Sequence, residues 1–303
     1  MEQVYQFNKE EIEKITNRFG RAFYQKVLGD LASYAEQWQL SSFQLVPSFS
    51  ANLVLTCFSE SYGNAVFKIG GPSSDISAEC SALSEYNGTP FCRVFEADLE
   101  NQVMLAERIC PGTPLRNEAS LEKRLAVFCT LYQDLHRSSE QAENYPTYLE
   151  WVSKITEYMS KRDDCTELYR YMKRAKELCF SICEKYPRNM LLHGDLHHDN
   201  ILLGQDGGYR IIDPKGVVGD PVFDVPRFLL NEYGEEITRE LYDDMNKMIG
   251  VLEKELGIPN EILRQCLYVE TAMGVCWSVE DGSSPDEFPK LIEHVKFAES
   301  MLN

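Results

Sequence analysis

Basic residues are scarce in this chain. Thirty Lys and Arg stand against 48 Asp and Glu, a formal net charge of −18. Such a surface repels phosphate backbones and anionic lipid, which excludes a general nucleic-acid binder and a membrane-surface protein. It attracts cationic small molecules instead. Long apolar runs are missing as well. None approaches the roughly 20 residues of a membrane-spanning helix, and residues 1–9 carry acids where a secretory leader carries an apolar core. The ten cysteines, from Cys57 to Cys276, never show the Cys-x-x-Cys spacing of a zinc site. Cys179 and Cys183, four apart, read as core-facing residues of one helix. A reduced, cytoplasmic protein with buried thiols is expected. Histidine is rarer still: there are five, and His193, His197 and His198 are three of them. No internal repeat or low-complexity tract is visible.

What the 303 residues do contain is a change of texture near residue 110. Ile12, Ile15, Phe19, Phe23, Val27 and Leu31 recur at helical spacing behind a cap at Asn8, so one helix is expected there. Residues 53–58 and 65–69 are β-prone runs joined by a polar turn at 59–64. A short helix over 76–86 and strand-like runs at 91–95 and 103–109 follow. Pro111-Gly112-Thr113-Pro114 breaks the chain. Beyond it Leu121, Leu125, Phe128, Tyr132 and Leu135 share a helical face, and 147–160, 167–185 and 235–256 are helical in part. The exception is a β-hairpin, 201–203 and 209–212, around Gln205-Asp206-Gly207-Gly208. The pattern is an α+β chain with two parts. Residues 1–109 form a small N-terminal lobe, a leading helix and an antiparallel sheet. Residues 110–303 form a larger, mostly helical lobe carrying the hairpin.

The densest chemistry lies in Leu192-His193-Gly194-Asp195-Leu196-His197-His198-Asp199-Asn200 and, after the hairpin, Asp213-Pro214-Lys215-Gly216. Phosphoryl transfer needs a carboxylate for the attacking hydroxyl, oxygen ligands for Mg²⁺ and a cation on the nucleotide phosphates. Asp195 suits the first role. Asn200 and Asp213 suit the second, because a hairpin brings its two ends side by side. His193 reads as a brace for the loop. The rival reading, a zinc or di-metal hydrolase on His193, His197 and nearby aspartates, would need a helix to set both histidines on one face, and Gly194 argues for a loop. Upstream, Lys68 sits in the apolar run Ala65-Val66-Phe67-Lys68-Ile69, where an unpaired ammonium is costly. Glu79, eleven residues on, is its natural partner.

Together Lys68, Glu79, His193-Gly194-Asp195, Asn200 and Asp213 resemble the aminoglycoside phosphotransferase family, which shares a bilobal protein-kinase-like fold. Three further stretches resemble the streptomycin 6-phosphotransferase and hydroxyurea phosphotransferase branch. They are Leu105-Ala106-Glu107-Arg108 with Pro111-Gly112-Thr113-Pro114-Leu115; Ile212-Asp213-Pro214-Lys215-Gly216-Val217-Val218-Gly219-Asp220-Pro221 with Phe223-Asp224-Val225; and Trp277-Ser278-Val279-Glu280-Asp281-Gly282. The resemblance runs from about Trp38 to Gly282. It implies an ATP- and Mg²⁺-dependent phosphotransferase with Asp195 as base and Asn200 and Asp213 as Mg²⁺ ligands. It further implies Lys68, paired with Glu79, on the nucleotide phosphates, and the backbone of Glu107, Arg108 and Ile109 along the adenine edge. Trp277, Glu280 and Asp281 become candidate contacts to a small, cationic substrate of the streptomycin type. Hydroxyurea, another hydroxylated metabolite, or a silent nucleotide-binding module are the alternatives.

The chain departs from the protein-kinase pattern in two places. The stretch expected over the phosphates, Val46-Pro47-Ser48-Phe49-Ser50-Ala51-Asn52, has no glycine, so a stiffer loop is expected. Proline in Asp213-Pro214-Lys215 fixes a backbone that in protein kinases can flip. Lys215 reads equally as a charge partner for the transferred group or as a solvated lysine. Of Asp220 and Asp224, one is expected to hydrogen-bond the catalytic loop. The acids from Glu235 to Asp244 read as a solvated helix face.

Overall fold

The computed structural model describes residues 4–302 except 48, 50, 73, 75, 89, 234 and 235. The chain divides into two compact units, residues 1–112 with 203–210, and residues 113–202 with 211–303.

The first unit opens with α1 (Lys9–Phe19) and α2 (Arg21–Gln37). Asn8 caps α1 through a reciprocal pair of bonds with Glu11. A single helix was the expectation from the apolar spacing. The structure breaks it at Gly20, whose φ of 87° is open to glycine and strained for other residues. The periodicity carries through the break because both helices lay their apolar faces on one sheet. That sheet holds β1 (Leu40–Leu45), β2 (Asn52–Ser59), β3 (Gly63–Gly70), β4 (Val94–Asp98) and β5 (Val103–Glu107). Its order is β1-β2-β3-β5-β4, antiparallel throughout. Helix α3 (Ile76–Tyr86) lies between β3 and β4 in sequence, with the bounds the sequence suggests. Ser48 and Ser50 of the expected phosphate-covering stretch lie outside the described residues.

Strand alternation sorts the faces. Leu53, Leu55 and Cys57 of β2 and Ala65, Phe67 and Ile69 of β3 pack with Ile15, Phe23, Val27, Leu31 and Tyr34 of the two helices in one buried core. Lys68 falls between Phe67 and Ile69, so it points to the other face. It is nonetheless buried. A strand covered on both faces has no place for a lone ammonium, and α3 supplies the partner.

The segment expected as a plain break, Pro111–Pro114, is a short strand, β6. Helices α4 (Leu121–Gln133), α5 (Tyr148–Ser160) and α6 (Thr166–Lys185) follow. Thr147 caps α5 from outside, with Glu150 completing the reciprocal pair. Next come β7 (Met190–Leu192), the hairpin strands β8 (Ile201–Gly204) and β9 (Tyr209–Ile211), and β10 (Val217–Gly219), which pairs antiparallel with β7. Helices α7 (Pro226–Leu230), α8 (Arg239–Leu256), α9 (Asn260–Glu280) and α10 (Phe288–Ser300) complete the chain. The helix expected from 235 starts at Arg239 behind a Thr238 cap, and Glu235 lies outside the described residues. Helix α9 is the centre of the second unit. It is buried nearly all round by apolar residues, from Ile262 to Val279, and packs on α5, α6, α7, α8 and α10. One acid, Glu270, is buried among them. All ten cysteines are free thiols; Cys179 is buried and Cys183 half-buried. No helix among the described residues is long and apolar enough to cross a membrane.

Candidate active site

The loop after β7 turns sharply at Gly194. Its φ is 77°, and a Cβ there would come within 2.8 Å of Val217 and 2.9 Å of the Trp151 ring. Only a glycine lets the chain pass this point. His193, fully buried, braces the turn on three sides. Its Nδ1 accepts the Asp195 N–H at 3.1 Å, its Nε2 donates to the Ile212 carbonyl at 2.9 Å, and its own carbonyl accepts the Lys215 N–H at 2.8 Å. The first two bonds fix a neutral imidazole, and burial holds its pKa below the ordinary value. One residue, by its ring and its carbonyl, thus ties the Asp195 loop to the residues on either side of Asp213.

Asp224 anchors the same turn from below. Its Oδ2 accepts the His193 N–H at 2.8 Å and His136 Nε2 at 2.9 Å, and its Oδ1 accepts the Gly194 N–H at 2.7 Å. Burial pushes this carboxyl upward. The bond and charge of His136, His193 and the Gly194 N–H outweigh that, so its pKa lies below the usual carboxylate range. Asp220 does a different job. It caps the short turn at 221–224 through the Val222 N–H and receives Arg188 at 3.0 and 3.2 Å. Of the two acids, Asp224 is the one that bonds the loop.

Asp195 is left with its carboxylate directed at cations. Its Oδ1 lies 3.3 Å from Arg227 Nε, and its Oδ2 lies 3.7 Å from Lys215 Nζ. Lys215 is also 3.7 Å from Asp213 Oδ2. One ammonium therefore stands between the candidate base and a candidate metal ligand. Asp213 adopts φ +64°, a left-handed conformation uncommon outside glycine. Asn200 meets the same region: its carbonyl accepts the Ile212 N–H at 3.0 Å, and its Nδ2 donates to the Asp195 carbonyl at 2.9 Å. That second bond uses the amide nitrogen and not Oδ1. An amide oxygen and a carboxylate would make a hard, all-oxygen donor set, which fits Mg²⁺. It does not fit zinc. Among the described residues no group of three His, Cys, Asp or Glu is placed to hold a metal ion, and His193 is fully committed to bracing.

The loop has further supports that the sequence did not single out. Arg116 forks onto Asp199 with two bonds of 2.8 Å. Buried His198 stacks on Phe228 and bonds Glu232 at 2.8 Å, and Arg124 holds both oxygens of Glu232 at 2.7 Å. Burial raises the Glu232 pKa, but His198 and Arg124 prevail and bring it down to about 2. A folded-state pKa below the unfolded value means stability that is full above about pH 4.5 and fades as pH falls toward 2. Glu232→Gln should lower stability at pH 7 and flatten this acid limb; denaturant titrations at pH 7 and pH 3 check both.

In the first unit, Lys68 Nζ meets Glu79 Oε1 at 2.6 Å, both side chains buried. The Glu107–Ile109 stretch has two of its three N–H groups engaged within the chain. Its Glu107 N–H is bonded to the Arg93 carbonyl at 2.8 Å and its Arg108 N–H to the Asn64 carbonyl at 3.3 Å, which leaves Ile109 N–H as the donor there. The Glu107 carboxylate is engaged by Arg93. Trp277 packs edge-on to Trp151 at 5.7 Å, with Arg227 over its ring at 5.7 Å, so it stands one residue away from Asp195. Glu280 and Asp281 are exposed at the end of α9, three and four residues beyond Trp277 and so on its side of the helix. The residues that sequence reasoning missed are Arg227, Glu270, Trp151 and Tyr148. A signal existed for Glu270: it is an acid inside an apolar helix, as Lys68 is a base inside an apolar strand.

Known proteins resemble this chain in sequence and in fold. The chain is 23% identical over 270 residues to the streptomycin 6-kinase of Streptomyces griseus, covering 87% of this chain and 86% of that one. It is 25% identical over 268 residues to the hydroxyurea phosphotransferase of Kitasatospora aureofaciens, covering 87% and 76%. Its structure superposes, with a TM-score of 0.61 and 12% identity, on a thermostable mutant of an aminoglycoside phosphotransferase in ternary complex with ADP and hygromycin B. That match covers 89% of this chain and 97% of the other. The fold is protein-kinase-like. The profile of the aminoglycoside/hydroxyurea antibiotic resistance kinases matches residues 37–282, and the chain belongs to that family of small-molecule phosphotransferases.

Proposed function

We propose that the chain transfers the γ-phosphoryl group of ATP to a hydroxyl of a small molecule, with a streptomycin-type aminoglycoside as the first acceptor to test. The observation that supports this most is the gathering of Asp195, Asn200 and Asp213 around His193 and Lys215. Asp195 orients the acceptor hydroxyl and takes its proton. Asn200 and Asp213 would hold Mg²⁺, which when bound neutralises phosphate charge. Lys215 carries positive charge beside both carboxylates, where the transferred group gains negative charge. In the first unit the Lys68–Glu79 pair presents a fixed ammonium for nucleotide phosphates. Trp277, Glu280 and Asp281 give the acceptor an aromatic face and two carboxylates, and the net charge of −18 steers a cation inward. The reading places catalysis in positioning and charge, with no covalent enzyme intermediate.

A second reading has its own support. Arg227 puts a guanidinium beside Asp195 and over Trp277. A hydroxyl flanked by a cationic group is disfavoured next to it, whereas hydroxyurea or another uncharged hydroxylated metabolite is not. ADP formation in a coupled assay, with and without streptomycin and then hydroxyurea, separates the two. Streptomycin-dependent turnover supports the first, and hydroxyurea-dependent turnover alone supports the second. Turnover with neither removes both acceptors. In whichever assay responds, Lys68→Ala should raise the KM for ATP by at least about tenfold. An unchanged KM would remove Lys68 from nucleotide binding.

A further inference from the structure

We infer that Arg227 is the positioning residue of the candidate base Asp195, and that Glu270 and Tyr148 hold Arg227 in turn. The inference rests on the assignment of Asp195 above. Arg227 is the second residue of α7, three residues after Asp224. One short segment therefore grips the loop twice, by the Asp224 carboxylate on the backbone and by the Arg227 guanidinium on the base itself.

The contacts form a chain from the core outward. Tyr148 is fully buried and stacks on Phe223 with ring centroids 4.1 Å apart. Its hydroxyl donates to Glu270 Oε2. The other oxygen of Glu270, Oε1, lies 2.8 Å from Arg227 Nε, and that same nitrogen lies 3.3 Å from Asp195 Oδ1. The Arg227 Nε–H forms no aligned hydrogen bond, and neither does Glu270 Oε1. The guanidinium is shared between two carboxylates rather than closed onto one. Trp277 covers its face.

Stability does not account for this arrangement. A buried ion pair is often no better than apolar residues of the same volume, and apart from Thr271 the buried neighbours of Glu270 along α9 are apolar or aromatic. Burial raises the Glu270 pKa, so the acid is costly where it stands. What the pair achieves is an assignment of the two Asp195 oxygens. Oδ1 faces Arg227 at 3.3 Å, an attraction of charge without an aligned hydrogen bond. Oδ2 faces Lys215 at 3.7 Å and His197 Nε2 at 3.9 Å and is the oxygen left for an acceptor hydroxyl. A carboxylate free to rotate would present either oxygen, and a reacting group misplaced by about 1 Å costs on the order of 100-fold in rate.

The test compares wild type with Arg227→Ala, Arg227→Lys and Glu270→Gln. Crystal structures report the Asp195 carboxylate directly. Steady-state kinetics with streptomycin, and slow MgATP hydrolysis as a probe that needs no acceptor, report kcat and the KM for ATP separately. Arg227→Ala should leave Asp195 in more than one orientation. It should lower kcat by about 100-fold with the KM for ATP within about twofold, and added ethylguanidinium should restore at least about tenfold. Arg227→Lys, which keeps the charge and most of the packing, should retain more rate than Arg227→Ala and serves if the latter does not fold. Glu270→Gln should fall between wild type and Arg227→Ala. An Asp195 that keeps its orientation in Arg227→Ala or Arg227→Lys overturns the inference. So does a loss confined to the KM for ATP, or a loss that ethylguanidinium does not relieve. A wild type that neither hydrolyses MgATP nor phosphorylates streptomycin or hydroxyurea overturns the phosphotransfer reading instead, and the crystal structures still decide the role of Arg227.

Discussion

Asp195→Asn should bind MgATP as the wild type does and lose phosphoryl transfer by about a thousandfold or more. The amide has the shape of the carboxylate, and the bonds that fix this part of the loop are not made by the Asp195 side chain. His193, Asp224 and the Asn200 amide hold its backbone. What the substitution removes is the ability to take a proton and one negative charge beside Lys215 and Arg227. Arg227 keeps Glu270, so no buried cation is orphaned. The fold should therefore survive, and the thermal midpoint should move by a few degrees at most. Calorimetric nucleotide binding with and without Mg²⁺, beside an ADP-release assay, checks both halves. Transfer within tenfold of wild type would remove Asp195 as the base.

The second large effect is on stability. Asp224→Ala should cost about 3–5 kcal/mol, because it strands the buried N–H groups of His193 and Gly194 and the ring of His136 at once. For a protein of ordinary stability, about 5–15 kcal/mol, that is a large fraction of the total. Asp224→Asn keeps one acceptor oxygen and the volume, so it should cost less and retain some activity. The depressed carboxylate pKa adds a pH signature. Stabilisation from Asp224 is full above the unfolded carboxylate range and is lost as pH falls below it. The wild-type advantage over Asp224→Ala should thus shrink in acid. Urea titrations at neutral and acid pH give both numbers. A difference under about 1 kcal/mol at neutral pH would mean that the loop is held by something else.

The parts that were legible in the sequence are those where one local rule decides. The β2–β3 hairpin follows from two β-prone runs around a polar turn, and α3 from a short helical stretch between them and the next strand. Lys68 and Glu79 were legible for a stronger reason. A charge inside an apolar strand demands a partner, and the next helix had one. The loop from His193 to Asn200 stood out because its chemistry is dense. The parts that were not legible depend on tertiary packing. The break at Gly20 is invisible to periodicity, since α1 and α2 share one apolar direction. Strand β1 has two exposed serines in succession, Ser41 and Ser42, with a register shift in its pairing, so alternation fails there. Strands β7 and β10 have three residues each, too few for any pattern. Arg227, Glu270 and Tyr148 come from three helices far apart in sequence, and only the packing of α9 against α5 and α7 joins them.

Phosphorus NMR of MgATP incubated with the protein and each candidate acceptor, streptomycin or hydroxyurea, tests the central claim most directly. The account predicts a new resonance of a phosphorylated acceptor growing in step with ADP for one of them, and its absence when Asp195→Asn replaces the wild type. Inorganic phosphate as the sole product with both acceptors, formed equally by wild type and Asp195→Asn, would contradict it.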